Sequence, residues 1–264
     1  MRRNSNVHTN GEFLEPLLTV ISVTRNDIPG VLLTLESLAA IKDCPVEVIV
    51  VDGSDASYDF GPVFQSVLNF SDNQIIRNSD KGIYQAMNDG LAIARGTYVW
   101  FLNGGDISLL SNINFLEPFC DSEEKPVLFC NYKLKTERFS VKRKAGRLSK
   151  IVHALPTSHQ AIFYPKIEFL KIGFNPNYKI CSDYASIAEL YVTGHRFTYI
   201  NQDVAEFNLN GISGRNARIL RDEAKRIQRE ILQRGRQDIV LSSIRHRLAS
   251  VLRSISEVVG GSRG

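Results

Sequence analysis

The stretch VEVIVVDGSD (residues 46–55) is a nearly continuous apolar run that changes at once to acidic, glycine and serine residues. The same pattern occurs in LLTVISVTRND (17–27) and in TYVWFLNGGD (97–106), and helical stretches at 30–41 and 82–95 lie between these segments. Apolar strands that alternate with helices predict an α/β fold with a mostly parallel central sheet covered on both faces.

Polar residues follow each of the first four predicted strands. The third of these strands is predicted at 74–77, after a helical stretch at 63–70. The four strand exits are Thr24-Arg25-Asn26-Asp27, Asp52-Gly53-Ser54-Asp55, Asn78-Ser79-Asp80-Lys81-Gly82 and Asn103-Gly104-Gly105-Asp106. Such residues also make turns and helix caps, so a single exit has that simpler interpretation. Parallel sheets bind ligands beyond the carboxyl ends of their strands, and four polar exits in succession favour a ligand site at this edge.

The pattern changes after residue 126. Two strands at 127–134 and 138–144 predict a hairpin over the site. A helix is predicted at 182–192, with a side-chain cap from its first residues, and one or two strands at 196–209.

The C-terminal part of the chain is basic. From residue 215 onward it has 12 Lys and Arg against 5 Asp and Glu, whereas the first 214 residues have 20 against 23. A charged helix is predicted at 215–234, and apolar residues at 241, 244, 248, 251, 255 and 258 have the 3-4 spacing of an amphipathic or coiled-coil helix. Three interpretations stay open: the tail packs on the body with its charges solvated, it docks on anionic lipids, or it pairs with a second copy.

Composition excludes several classes of protein. No apolar run approaches the roughly 18–20 residues that span a bilayer, and the polar start MRRNSN does not resemble a secretory signal. The four cysteines have no paired short spacing, which predicts reduced, mostly buried thiols rather than a disulfide framework or a zinc site. The tail lacks interleaved aromatic residues and no nucleic-acid-binding motif is present, so nucleic acid is not an expected partner.

Five segments together resemble family 2 glycosyltransferases, in particular the branch that acts in bacterial exopolysaccharide assembly, such as the colanic-acid-type enzymes. The segments are ISVTRND (21–27), VIVVDGSD (48–55), SDKGIYQAMNDGLAIARGTYVWFLNGGD (79–106), HQAIFY (159–164) and CSDYASIAEL (181–190). The resemblance implies a GT-A fold, with a flexible N-terminus at 1–16, the glycosyltransferase domain at 17–212 and a basic helical extension at 213–264.

The resemblance also implies an inverting transfer from a nucleotide-diphosphate sugar, with UDP as the expected nucleotide. The residues that match the donor-binding positions are Thr24, Asn26, Asp52 and Asp80. Asp106 matches the metal-binding motif, for Mg²⁺ or Mn²⁺, and Asp183 matches the general base. General-base catalysis is worth about 10²–10⁴-fold in rate, and a cation beside the leaving diphosphate stabilises its charge. Helix capping alone is the simpler role for Asp183.

The metal motif departs from the commoner family pattern, which has two or three acidic residues. Here the segment is Asn103-Gly104-Gly105-Asp106, with one carboxylate. One carboxylate with donor phosphates and waters is enough for magnesium in many phosphate sites, although metal affinity without the donor should be weak. Candidate contacts to donor or acceptor are Asn103, His159, Ser213 and Arg215.

The expected function is therefore sugar transfer to an acceptor hydroxyl, with a lipid-linked oligosaccharide of exopolysaccharide or lipopolysaccharide assembly as acceptor. A cytoplasmic location is expected, peripheral on the inner face of the cell membrane, and a homodimer is an open option. One alternative is a nucleotidyltransferase, but a Gly-rich loop with a basic residue is absent after the first strand. A second is a non-catalytic sugar-nucleotide-binding or scaffold protein, which the reduced acidic motif favours.

Overall fold

The computed structural model describes residues 16–42, 46–55, 61–67, 72–77, 82–135, 139–208, 216–242 and 244. Its first half alternates strands and helices: β1 (Leu18–Thr24), α1 (Ile28–Leu38), β2 (Val46–Asp52), α2 (Gly61–Val67), β3 (Asp72–Arg77), α3 (Ile83–Ile93) and β4 (Tyr98–Phe101). These four strands are parallel, in the order β3-β2-β1-β4. The predicted parallel arrangement of the first four strands is confirmed.

The second half adds strands in both directions. Its elements are β5 (Ile107–Ser108), α4 (Glu117–Cys120), β6 (Val127–Lys135), β7 (Ser140–Arg143), β8 (Ile162–Pro165), α5 (Lys166–Ile172), α6 (Ser182–Val192), β9 (Phe197–Asn208) and α7 (Ala217–Glu230). The sheet continues from β4 through β8, β6 and β9 to β5, and β7 pairs with β6. β8 is antiparallel to both β4 and β6, whereas β9 is parallel to β6. The predicted hairpin of β6 and β7 is confirmed.

Alternate residues of the central strands supply two separate cores. Val20 of β1 faces the core that contains Leu35 of α1, whereas the adjacent Ile21 faces the core that contains Met87 of α3. Helix α3 lies close to the sheet because it has Gly90 at the contact, where a Cβ would lie 2.7 Å from Ile21 Cγ2. The two faces of the sheet are therefore both covered, as the continuous apolar strands require.

Helix α7 packs onto the same core as α3 and α6. Its residues Ala224 and Ile227 are buried in that core, and Gln228 Nε2 donates a hydrogen bond of 3.0 Å to the carbonyl of His153. After α7, residues 236–242 are helical. The division of the chain at residue 213 stays a prediction.

Three cysteines are in the described part of the chain, and all are free thiols. Cys130 and Cys181 are buried and Cys120 is half-buried. Burial raises the pKa of the Cys130 thiol above its ordinary value. No helix among the residues described is both long and apolar enough to cross a membrane.

Candidate active site

The exits of β1, β2 and β4 meet at one edge of the sheet. The Gly53 N–H donates to the Thr24 carbonyl at 2.9 Å, and the Gly104 N–H donates to the Val23 carbonyl at 3.0 Å. The register of β1 and β2 places Thr24 opposite Asp52, and both side chains are buried. The structure thus brings together three of the four predicted exits. Asp80, in the fourth exit, lies outside the described residues.

Asn26 fastens the exit of β1 to the exit of β2. Its side-chain amide donates to Asp55 Oδ2 at 2.8 Å, and its Oδ1 accepts from the Asp55 N–H at 3.0 Å. Its own N–H donates to Ser54 Oγ at 2.7 Å. Asn26 has φ 53°, in the left-handed region where asparagine is tolerated better than most residues. These contacts give Asn26 a structural role in shaping the two loops.

Asp52 ends β2 with a fully buried side chain. Its Oδ1 accepts from the Ser54 N–H at 2.8 Å. Its Oδ2 lies 3.2 Å from Arg77 Nε but has no hydrogen-bond partner among the described residues. The ion pair balances the charge of Asp52, and Oδ2 is left able to accept a hydrogen bond from a ligand.

Residues 103–106 form a tight turn after β4. The Asp106 N–H donates to the Asn103 carbonyl at 3.0 Å, and Gly105 has φ 93°, a conformation that favours glycine. The Thr34 hydroxyl of α1 fixes the turn through two hydrogen bonds. It donates to the Asp106 carbonyl at 2.7 Å and accepts from the Gly105 N–H at 3.0 Å. The turn at 103–106, the predicted metal site, is therefore fixed by a residue that is distant from it in sequence.

Asp106 has an unusual environment for a carboxylate. Burial raises the pKa of its carboxyl from 3.8 to about 6, and His159, Gln160 and the Asn103 N–H offset part of that rise. Gln160 Nε2 donates to Asp106 Oδ2 at 3.2 Å. The carboxylate is ionised at neutral pH, and no Lys or Arg among the described residues forms an ion pair with it, an arrangement that favours binding of a metal ion.

His159 lies between the metal motif and the predicted general base. Its Nδ1 is 3.6 Å from Asp183 Oδ2, and its Nε2 is 3.4 Å from Asn103 Nδ2. The first distance is a close contact, too long for a hydrogen bond. The imidazole thereby connects residues 103–106 to Asp183, some 80 positions further along the chain.

The segment around His159 is fixed by a buried tryptophan. Trp100 of β4 donates its indole N–H to the Gln160 carbonyl at 2.8 Å, and Gln160 also contacts the Ser158 hydroxyl. Trp100 is the residue before the last of β4, and the chain continues from β4 to Asn103. Strand β4 therefore positions both Asn103 and the segment that carries His159.

Asp183 occupies the first turn of α6, with its side chain largely buried. Its Oδ1 accepts from the Tyr184 N–H at 2.8 Å. The side-chain cap predicted for this helix from Ser182 or Asp183 is wrong: the N-cap residue is Cys181, which makes no side-chain cap, and the buried Ser182 hydroxyl has no partner among the described residues.

The sequence did not single out Thr34, and it singled out Gln160 only as part of the HQAIFY segment. Both act through hydrogen bonds to residues that are distant in sequence, so no local pattern marks them. Ser213 and Arg215, the candidate contacts in the loop after β9, lie outside the described residues.

The oxygen atoms at the 103–106 turn suit a hard divalent cation that is coordinated mainly by the phosphates of a bound sugar donor. Within the described ranges, no group of three or more His, Cys, Asp and Glu side chains could hold a metal ion. Asp106 supplies one carboxylate, and the buried Asn103 Oδ1 has no hydrogen-bond partner among the residues described. Oxygen ligands of this kind suit Mg²⁺ or Mn²⁺ when donor phosphates complete the coordination.

The residues that build this edge match a known enzyme family. Residues 19–112, which contain β2 to β5 and all of β1 except its first residue, match the model of the family described as Glycosyl transferase family 2. This stretch is similar to family 2 glycosyltransferase domains. A PGL/p-HBAD biosynthesis glycosyltransferase of Mycobacterium tuberculosis is 29% identical over 178 residues, which cover 64% of this chain and 67% of the relative. A protein of the same description from Mycobacterium bovis has the same values.

Solved structures share the fold of this chain. The crystal structure of S. aureus TarS 1-349 in complex with UDP superposes with a TM-score of 0.61 at 18% identity, covering 81% of this chain and 70% of that chain. Mannosyltransferase PcManGT from Pyrobaculum calidifontis, in complex with GDP-Man and Mn²⁺, has a TM-score of 0.61 at 14% identity and covers 95% and 82%. The predicted GT-A fold is confirmed.

Proposed function

We propose that the chain is an inverting glycosyltransferase that moves a sugar from a nucleotide-diphosphate donor, a UDP-sugar, to an acceptor hydroxyl. The observation that carries the proposal is the contact of His159 with both Asp183 and the 103–106 turn. It puts a carboxylate suited to base catalysis beside a turn suited to a metal and a diphosphate. The match of residues 19–112 to a glycosyltransferase family supports the same reaction.

On the donor side, we assign the nucleoside to the exits of β1 and β2. Asp52 offers the acceptor atom Oδ2, and Thr24 forms the buried floor beside it. Asn26 shapes these loops, and Asp80 keeps its predicted contact to the nucleotide. Asn103 and Asp106 would hold the divalent cation, which when bound supplies electrostatic stabilisation of the departing diphosphate.

Asp183 acts as the general base in this proposal. The acceptor oxygen forms a bond to the anomeric carbon on the face opposite the diphosphate, the bond from that carbon to the diphosphate oxygen breaks, and the hydroxyl proton passes to the Asp183 carboxylate. This single displacement inverts the anomeric configuration. The side chain of Asp183 is only 15% exposed, which limits the access of bulk water to the carboxylate.

We further propose a lipid-linked oligosaccharide as acceptor, in bacterial exopolysaccharide or lipopolysaccharide assembly, and a peripheral position on the inner face of the cell membrane. Support comes from the basic C-terminal part of the chain and from the exposed Val240, Leu241 and Ile244 that follow α7. Sedimentation with anionic but not with zwitterionic vesicles is expected. Dimerisation without vesicle binding would favour the self-association interpretation instead.

Thermal unfolding with UDP, GDP and other nucleoside diphosphates, with and without Mn²⁺, tests the donor assignment. A ligand at about 100 times its Kd adds about 2.7 kcal/mol of stability. We expect a rise in Tm with UDP that increases with Mn²⁺. No rise with any nucleotide would contradict the proposed donor site.

The Asp183→Asn variant tests the reaction itself. We expect kcat for nucleotide release from the donor to fall about 10²–10⁴-fold because the base is lost, with UDP binding unchanged. Glu189→Gln is the matched control, since it neutralises a carboxylate further along the same helix. Equal turnover of Asp183→Asn and the native protein would remove the assignment of the base. UDP binding without turnover in the native protein would favour the non-catalytic scaffold.

A further inference from the structure

Asp183 lies two residues after Cys181, the N-cap residue of α6. The loop that ends at Cys181 therefore leads directly into the helical turn that carries Asp183. The loop 179–181 presents three consecutive backbone N–H groups in one direction. All three donate to the carboxylate of Glu223 on α7: Lys179 N to Oε1 at 2.6 Å, Ile180 N to Oε2 at 3.0 Å and Cys181 N to Oε2 at 2.9 Å. A charged acceptor from a different helix thus pairs with all three backbone N–H groups that lead into α6.

The same loop is held from its other side by α3. The Tyr84 hydroxyl donates to the Ile180 carbonyl, and Asn88 exchanges two hydrogen bonds with the backbone of Phe174, just before the turn at 175–177. The Cys181 thiol also contacts the Leu220 carbonyl of α7 at 3.5 Å. Since α3 and α7 both contribute buried residues to the same core, the loop has anchors on two packed helices.

Glu223 itself has a rigid support. Its helix contributes the buried Ala224 and Ile227 to the core, and Gln228 hydrogen-bonds the backbone of His153. Glu223 is half-buried, and its carboxylate points from this fixed helix into the loop. The neighbouring Asp222 is exposed and lies 4.0 Å from Arg218, away from the loop.

We propose that Glu223 is a positioning residue for the general base: it fixes the start of α6 and thereby sets Asp183 against His159. The inference rests on the proposed function of Asp183. It also gives α7 a second task, because the basic helix then supports the active site as well as covering the core. A carboxylate is required, since the amide of a glutamine would turn an N–H group toward one of the three backbone donors.

Glu223→Gln is the test, with Asp222→Asn as the control for the loss of one negative charge on α7. Leu18→Ala, at the amino end of β1 in the core on the opposite face of the sheet, is the control for lost stability. Turnover is measured as nucleotide release from UDP-GlcNAc, UDP-glucose, UDP-galactose and GDP-mannose with Mn²⁺ and octyl glycosides as acceptors, well below the Tm of every variant. UDP affinity and amide hydrogen exchange of residues 179–181 are measured in parallel.

For Glu223→Gln we expect kcat to fall about 10-fold or more, because small displacements of a catalytic group are costly, while the Kd for UDP changes less than about twofold. The amides of 179–181 should exchange faster, and both controls should keep native kcat. Native kcat in Glu223→Gln, or an equal fall in Leu18→Ala, would overturn the inference and leave the proposed function intact. A native protein without turnover for every donor would overturn both.

Discussion

At the level of single residues, the burial of Asp106 has opposite effects on ligand binding and on stability. Burial raises the pKa of its carboxyl to about 6 in the folded protein, whereas the unfolded chain has the ordinary value near 3.8. The folded state therefore binds more protons between these two values, and the contribution of Asp106 to stability decreases as pH rises from about 4 to about 6. Above pH 6 the ionised carboxylate destabilises the metal-free fold.

The Asp106→Asn variant should therefore be more stable than the native protein at pH 7 in the absence of metal. We expect a gain on the order of 1 kcal/mol, reduced by the partial exposure of the side chain, and a Tm rise of a few degrees. The gain should disappear only below about pH 3, where the native carboxyl is protonated in both the folded and the unfolded state. The same variant should lose the Mn²⁺-dependent part of UDP binding. A lower Tm at pH 7 would contradict the inferred cost of burial.

The chemically distinctive residues of the site could be predicted from the sequence, but their supports could not. Asp106 and Asp52 follow apolar strands, and the end of a strand has a defined place in a parallel sheet. Asp183 was found through the family resemblance, since its position after an ordinary helix start is not informative. Thr34 and Glu223 stand at positions that suit any amphipathic helix, and only the tertiary fold shows what they contact.

At the level of elements, the contact of α3 with the sheet depends on the absence of a side chain at Gly90. A Cβ there would lie 2.7 Å from Ile21 Cγ2 and 3.1 Å from Val51 Cγ2. The Gly90→Ala substitution improves helix propensity by about 1 kcal/mol, yet overpacking of a tight core costs about 1–3 kcal/mol. We expect a net loss of about 1 kcal/mol in urea unfolding and a larger loss for Gly90→Ser. A more stable Gly90→Ala would show that α3 can move away from the sheet at little cost.

Element boundaries show where periodicity is informative. The fully buried strand β2 begins at Val46, where the quoted run 46–55 begins, and α6 has its predicted bounds of 182–192, because each begins at a clear change of pattern. The helix predicted at 30–41 begins two residues earlier in the structure, since Asp27 caps it by accepting from the Gly30 N–H and Pro29 suits the first turn. The two-residue strand β5 was missed, because it is defined by pairing with β9 rather than by any local pattern.

For the whole molecule, the packing of α7 predicts that body and extension unfold together. Ile227 is fully buried in the core that also contains Ile187 of α6 and Ile21 of β1. The Ile227→Ala substitution should lower the free energy of unfolding by about 2–5 kcal/mol. Urea unfolding should remain a single transition when followed by tryptophan fluorescence of Trp100 and by circular dichroism. Two separated transitions would instead support an independent unit beginning near residue 213.

The sheet order also has a consequence for how the protein is made. Strand β4 pairs with β1 on one side and with β8 on the other, and β8 is about sixty residues further along the chain. At about 5–20 residues per second, a ribosome needs roughly 3–12 seconds to supply that partner. During this interval the nascent chain displays Tyr98, Val99 and Trp100 on an unpaired strand edge, which is the kind of surface that recruits chaperones or aggregates. Slow translation between residues 102 and 162 should therefore lower the yield of folded protein.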